Sequence, residues 1–211
     1  MRRYWDILVF GGERRAAQSA PPPVWRRLFH VVAGSSIPLT GIFLSETAMI
    51  WALSFLAAGG LALDLARFRV EWLNRLFTRW MAPLLKQDEA AHITGATYMV
   101  IAALLVYVLY GKEVAIPVMF FLSLGDPAAA LVGRRMPGPR IRGKSPLGTA
   151  AFIGVGAGAA AVLIAANGID HHWALWAGAA VAGTVELASV PPDDNLAIPI
   201  IAGTAMHFLG V

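Results

Sequence analysis

Apolar residues run in long blocks separated by short polar connections, too long for strands and lacking the polar face of a soluble helix. A helix that crosses hydrocarbon needs roughly 20 mostly apolar residues. Seven stretches meet or approach that length: 28–44, 48–68, 93–110, 114–131, 147–166, 173–189 and 196–209. Between the second and third, residues 69–92 alternate Trp72, Leu73, Leu76, Phe77, Trp80 and Met81 with charges at helical spacing. That spacing predicts an amphipathic helix lying along the inner membrane surface and broken by Pro83. The expected fold is therefore an all-α integral membrane protein of about seven transmembrane helices plus one cytoplasmic amphipathic helix. Residues 1–27 read as an N-terminal cytoplasmic tail closed by Pro21, Pro22 and Pro23, and 28–211 as a single transmembrane catalytic domain. The glycines of the fifth stretch (Gly154, Gly156, Gly158) and the Ala/Gly-rich sixth predict close helix packing.

Charge fixes the orientation of these spans. With the N-terminus inside, the cytoplasmic connections receive every one of the 17 Lys and Arg residues except Lys112. Such asymmetry predicts a cytoplasmic N-terminus and an external C-terminus. Composition agrees with lipid as solvent, because 57% of the 211 residues are hydrophobic and the mean hydropathy is +0.62. The net charge of +4 follows from topology and anionic head groups, so nucleic acid is not an expected partner. The apolar run in the first 20 residues, Ile7 to Phe10, is too short for a cleavable signal peptide. With no cysteine, any metal would be held by oxygen or histidine, which favours a hard cation.

Carboxylates within or at the ends of spans are costly, so each is a functional candidate. Asp126 is the sharpest, lying toward the cytoplasmic end of the fourth span between Gly125 and Pro127. Pro removes a backbone donor, which predicts a local helix break whose freed carbonyls line a polar cavity or bind an ion; a kink with Asp126 capping a helix is the alternative. The loop 133–149 is rich in Gly, Pro and Arg and contains Lys144 and Ser145 ahead of the next helix. Backbone amides at a helix start and a lysine point charge suit a polyphosphate. Gly138 to Ser145 matches a Gly-x-x-x-x-Gly-Lys-Ser pattern, but an apolar helix precedes it where a Walker A loop needs a strand. A third cluster, Glu186 with Asp193, Asp194 and Asn195, joins the sixth and seventh spans and offers oxygens for magnesium or ordinary turn and cap chemistry. All three clusters fall on one predicted membrane face. His30 follows Arg26 and Arg27 by one helical turn and suits phosphate or an interfacial packing role. Asp64 and Arg67 suit a pair at a helix end, and Asp170, His171 and His172 fall on the external side.

At these residues the sequence resembles the family of dolichol kinases, phytol kinases and yeast-type diacylglycerol kinases. The similar features are Arg26-Arg27-Leu28-Phe29-His30 with Gly34, Ile93 to Tyr98, Gly125-Asp126 with Ala129, Gly133 and Arg134, Lys144-Ser145 with Gly148 and Thr149, and Glu186 with Asp194 to Pro199. The resemblance implies a CTP-dependent kinase that transfers a γ-phosphate to a membrane lipid alcohol of prenyl type, polyprenol or phytol, at the cytoplasmic face of the cell membrane. It implies Asp126, Lys144 and Asp194 as catalytic residues and magnesium held by Asp126, Asp194 and Glu186. It implies nucleotide binding by Gly125, Gly133, Arg134, Lys144, Ser145, Gly148, Thr149 and Asn195, with Arg27 and His30 toward the lipid or phosphate. Whether Asp126 or Asp194 acts as base or metal ligand stays open, as do chain length, CTP against ATP, and oligomeric state. The rival readings are a lipid-phosphate cytidylyltransferase and, from another class, a membrane transporter.

Overall fold

The computed structural model describes residues 24–82, 84–85, 89 and 91–211. These contain eight helices: α1 (Val24–Phe43), α2 (Glu46–Arg69), α3 (Glu71–Met81), α4 (Gly95–Tyr110), α5 (Lys112–Arg135), α6 (Pro146–Ala165), α7 (Ala174–Ala188) and α8 (Asp194–Phe208). Seven overlay the seven apolar stretches, and α3 is the amphipathic segment, shorter than the expected 69–92. Of the expected N-terminal tail, residues 1–23 lie outside the described residues. Residues 24–27 already belong to α1, which carries Arg26 and Arg27 in its first turn. Pro83 also lies outside the described residues.

Side-chain caps set several helix starts. Ser45 accepts from the Ala48 amide, Thr94 from Thr97, Ser145 from Gly148 and Asp193 from Asn195, each satisfying an amide that the helix itself leaves open. α2, α5 and α6 are long and apolar enough to cross a membrane, while α4 and α7 are apolar but only 16 and 15 residues long.

The bundle is organised around α5, which packs on α1, α4, α6, α7 and α8. From Val114 to Ser123 every residue of α5 is buried, so this helix has no outward stripe. The outer surface is the reverse of a soluble protein. Phe43, Trp51 and Phe55 are 83%, 73% and 79% exposed, while Asp64, Arg67 and Glu186 are at most 2% exposed. Large apolar side chains facing outward over buried ion pairs are what lipid solvation produces and water does not.

One expectation is overturned. The helix does not break at Gly125-Asp126-Pro127, and α5 runs through it to Arg135. Pro127 costs one backbone bond, but α5 is gripped on several sides, and apolar surroundings tolerate proline within a helix that neighbours support. Asp126 consequently projects from a continuous helix and caps nothing.

Candidate active site

Four separate parts of the chain meet at one end of the bundle. α1 supplies Arg26, Arg27 and His30 from its first two turns. α5 supplies Asp126, Ala130 and Arg134, which fall on one face at intervals of four. The connection before α6 supplies Lys144, and the first turn of α8 supplies Asp194 and Asn195. Together they line a cavity of about 240 Å³. Its lining carries five basic side chains against two carboxylates, the balance expected for a polyanion that arrives with a counter-cation.

Lys144 is held by a tight turn. Ile141 and Lys144 exchange both backbone hydrogen bonds at 2.9 Å, and the two central residues, Arg142 and Gly143, have φ of 49° and 85°. Two successive positive φ values define the turn that suits a two-residue hairpin, and glycine takes the second without strain. Arg142 donates to the Ala188 carbonyl at 2.9 Å and Arg140 to the Gly133 carbonyl at 2.8 Å, tying the turn to the ends of α7 and α5. The Lys144 ammonium then reaches Glu186 Oε1 at 2.8 Å and Asp194 Oδ2 at 2.9 Å. Burial works against its charge, but the carboxylates of Asp126, Asp194 and Glu186 outweigh that and hold its pKa above the ordinary lysine range. Lys144 is therefore a permanent cation at the cavity wall.

Of the residues singled out in the sequence, Arg27, His30, Asp126, Arg134, Lys144, Asp194 and Asn195 line the cavity. The others stand behind it. Glu186 is buried beneath Lys144 and also accepts from Thr149 Oγ1 at 3.3 Å. Ser145 caps α6. Gly148 lets α6 approach α5, since a Cβ there would lie 2.7 Å from the Ala129 carbonyl oxygen, and a Cβ on Gly125 would meet the Phe152 ring at 2.8 Å. Gly133 packs against Ser145 in the same seam. Asp126 makes no hydrogen bond or ion pair with another described residue and faces the cavity.

A second polar cluster was only partly visible in the sequence. Asp64 and Arg67 do pair, at 2.7 Å. Arg67 also donates to the Glu89 and His92 carbonyls and to Asn74 Oδ1, and its guanidinium lies 4.6 Å from the ring centroids of Phe68 and Phe77. Asp64 Oδ2 accepts from the Thr94 amide and hydroxyl and from Thr97 Oγ1, and Glu89 accepts from the Gly95 amide at 2.8 Å. This network fastens the α2 end to the start of α4. Its members are 30 residues apart without a shared motif. The signal that could have found them is the presence of two hydroxyls, Thr94 and Thr97, at the start of an apolar span that follows one ending in a carboxylate with more acceptor capacity than its arginine uses.

Among the described residues no three of His, Cys, Asp and Glu converge to enclose a metal by themselves. Magnesium needs less, since it keeps several waters and is commonly shared between one or two carboxylates and substrate phosphates. Asp126 and Asp194, both facing the cavity, provide oxygen donors of that kind, so the residues present fit a magnesium ion that arrives with a polyphosphate.

Comparison with known proteins gives distant relatives. The chain is 27% identical over 139 residues to CTP-dependent diacylglycerol kinase 1 of Saccharomyces cerevisiae, a match covering 62% of this chain and 47% of that protein. It is 25% identical over 161 residues to CTP-dependent diacylglycerol kinase 1 of Schizosaccharomyces pombe, covering 69% and 74%. An uncharacterized protein of Rickettsia prowazekii is 25% identical over 130 residues, covering 60% and 63%. The chain thus spans about half the length of the first of these relatives. No protein-family model matches it, and no solved structure does.

Proposed function

We propose that this chain is a CTP-dependent lipid kinase that phosphorylates the hydroxyl of a membrane lipid alcohol. The observation that carries the reading is the cavity in which Arg26, Arg27, Arg134 and Lys144 surround Asp126 and Asp194. The names of the yeast relatives support both CTP and a lipid acceptor. A prenyl-type alcohol is the acceptor drawn from the sequence resemblance, and diacylglycerol is the acceptor those names carry. In this reading the chain crosses the membrane seven times and the cavity opens to the cytoplasm, an orientation that the distribution of Lys and Arg supports.

Phosphoryl transfer depends on alignment and charge neutralisation more than on covalent catalysis by the protein. The four cations bind and orient the triphosphate, with Lys144 fixed by its two carboxylates so that little reorganisation is needed as charge develops. Asp126 and Asp194 would hold magnesium, which when bound neutralises phosphate charge. The acceptor oxygen bonds to the γ-phosphorus while the bond from that phosphorus to the β,γ-bridging oxygen breaks. The nucleoside diphosphate leaves with that electron pair, and the hydroxyl proton passes to a carboxylate of the site.

The test is detergent-purified protein with magnesium, γ-labelled CTP or ATP, and a panel of prenyl alcohols and diacylglycerol. Label extracted with lipid, and lost in Asp126→Ala, is the expected result. Transfer of α-label from CTP to a lipid phosphate would instead assign a cytidylyltransferase, and no transfer of either label would overturn the enzyme reading in favour of transport.

A further inference from the structure

Beside the polar cavity lies a second and larger one of about 380 Å³, lined mainly by apolar side chains of α1, α2, α3 and α4. Three features say what occupies it. First, α1 and α2 are consecutive yet barely touch, because α1 packs on α5 while α2 packs on α4. The chamber therefore lies where two neighbouring helices leave a lateral gap. Second, the two cavities share Arg26, His30 and Asn195, so an apolar ligand in one presents its end to the phosphate-binding residues of the other. Third, the carboxylates on the chamber wall are already engaged, Asp64 by Thr94 and Thr97 and Glu89 by the Gly95 amide, whereas at the junction His30 Nε2 is buried and has no partner among the described residues. A buried polar atom left open beside carboxylates that are already engaged marks the place of a missing partner.

We propose that this chamber is the acceptor-lipid site, that the chain of the lipid alcohol lies between Ala33 of α1 and Leu63 and Val100 of α2 and α4, and that its hydroxyl meets His30 Nε2 at the junction. The proposal rests on the kinase reading above and names where that kinase holds its acceptor. A chamber of this size takes the alcohol end of a lipid, while the rest of a long chain leaves through the gap between α1 and α2. Discrimination among acceptors then falls on the first carbons next to the hydroxyl. Total chain length matters little.

The experiment uses the full chain in detergent with diazirine-bearing analogues of farnesol and of dioleoylglycerol, photolysed and mapped by peptide mass spectrometry. Adducts are expected on the peptides holding Leu63 and Val100, competed by the unlabelled alcohol. Ala33→Trp, which fills the chamber, should remove them and raise the acceptor KM about tenfold while CTP binding by equilibrium dialysis stays within about twofold. Leu63→Trp fills it from the opposite wall should the first variant fold poorly. His30→Ala should lower kcat more than it raises the acceptor KM, and His30→Gln, which restores a hydrogen-bonding end, should recover part of it. Adducts confined to the outer faces around Trp51 and Phe55, or unaltered by either tryptophan, overturn the chamber even if label transfer stands. Chamber adducts without phosphoryl transfer would keep the lipid site and overturn the kinase.

Discussion

The protein holds two buried clusters of charge at the same end of its bundle, and they are built differently. Around Arg67 everything is closed. The Asp64 and Arg67 side chains are 2% and 0% exposed, and they are met by Asn74 of α3, by the Glu89 and His92 carbonyls of the connection after it, and by Thr94 and Thr97 at the start of α4. Around Lys144 the arrangement stays open. Lys144 and Asp194 keep about a quarter of their side-chain surface, and Asp126 makes no hydrogen bond or ion pair with another described residue, acting on Lys144 and Arg134 only through its charge. A closed network of this kind fixes geometry, whereas a half-open one leaves capacity for a ligand to complete. The comparison assigns Arg67 to architecture and fits Lys144 to the ligand-binding role proposed for it.

The strongest way to break that assignment is Arg67→Met. It strands Asp64 in the interior, so a loss of about 3–5 kcal/mol is expected, read as a collapse of the thermal transition in detergent. Asp64→Asn combined with it should recover part of the loss, since neither charge is then left alone. If Arg67→Met folds normally and loses only activity, the two clusters have been assigned the wrong way round. Next comes Asp126→Ala, expected to lower label transfer by about 10²–10³-fold with a change in unfolding of less than about 1 kcal/mol. Lys144→Met should cost roughly 10²-fold in kcat/KM for the nucleotide.

The raised pKa of Lys144 sharpens this further. A lysine whose folded pKa exceeds its unfolded value contributes stability that is complete below the unfolded pKa and is lost only as pH rises through the folded one. Between about pH 7 and 9 the difference in stability between wild type and Lys144→Met should therefore stay flat. A slope in that window would mean that a group titrates there, either Lys144 itself or the Glu186 and Asp194 carboxyls that the variant leaves without their cation. The smallest effect is expected from Ser145→Ala, about 1 kcal/mol of stability from the lost α6 cap. Nucleotide affinity should be unchanged, because the serine stands behind the cavity.

Much of this was legible in the chain. Each block of continuous hydrophobicity became a helix, because nothing else satisfies the backbone in a long apolar run. The three polar clusters predicted to share a face, one within a span and two in loops, do meet through Asp126, Lys144 and Asp194. Less visible was the division of labour within the motifs. A glycine that admits a phosphate and one that admits a neighbouring helix look alike in sequence, and Gly148 does the second. The break expected at Pro127 did not form, since the grip of the helices around α5 is invisible in a local pattern. Nor does any spacing rule announce that Asp64 and Thr94 will touch.

The burial of α5 carries one more consequence. From Val114 to Ser123 this helix has no surface to offer the bilayer, and Asp126 sits on its next turn. Changes in membrane thickness or fluidity therefore reach Asp126 only after passing through a full ring of neighbouring helices. In the kinase reading, a lipid mixture that stretches or thins the bilayer should alter how readily an acceptor is delivered long before it disturbs Asp126. The helix that carries Asp126 is insulated from the very solvent in which the protein is dissolved.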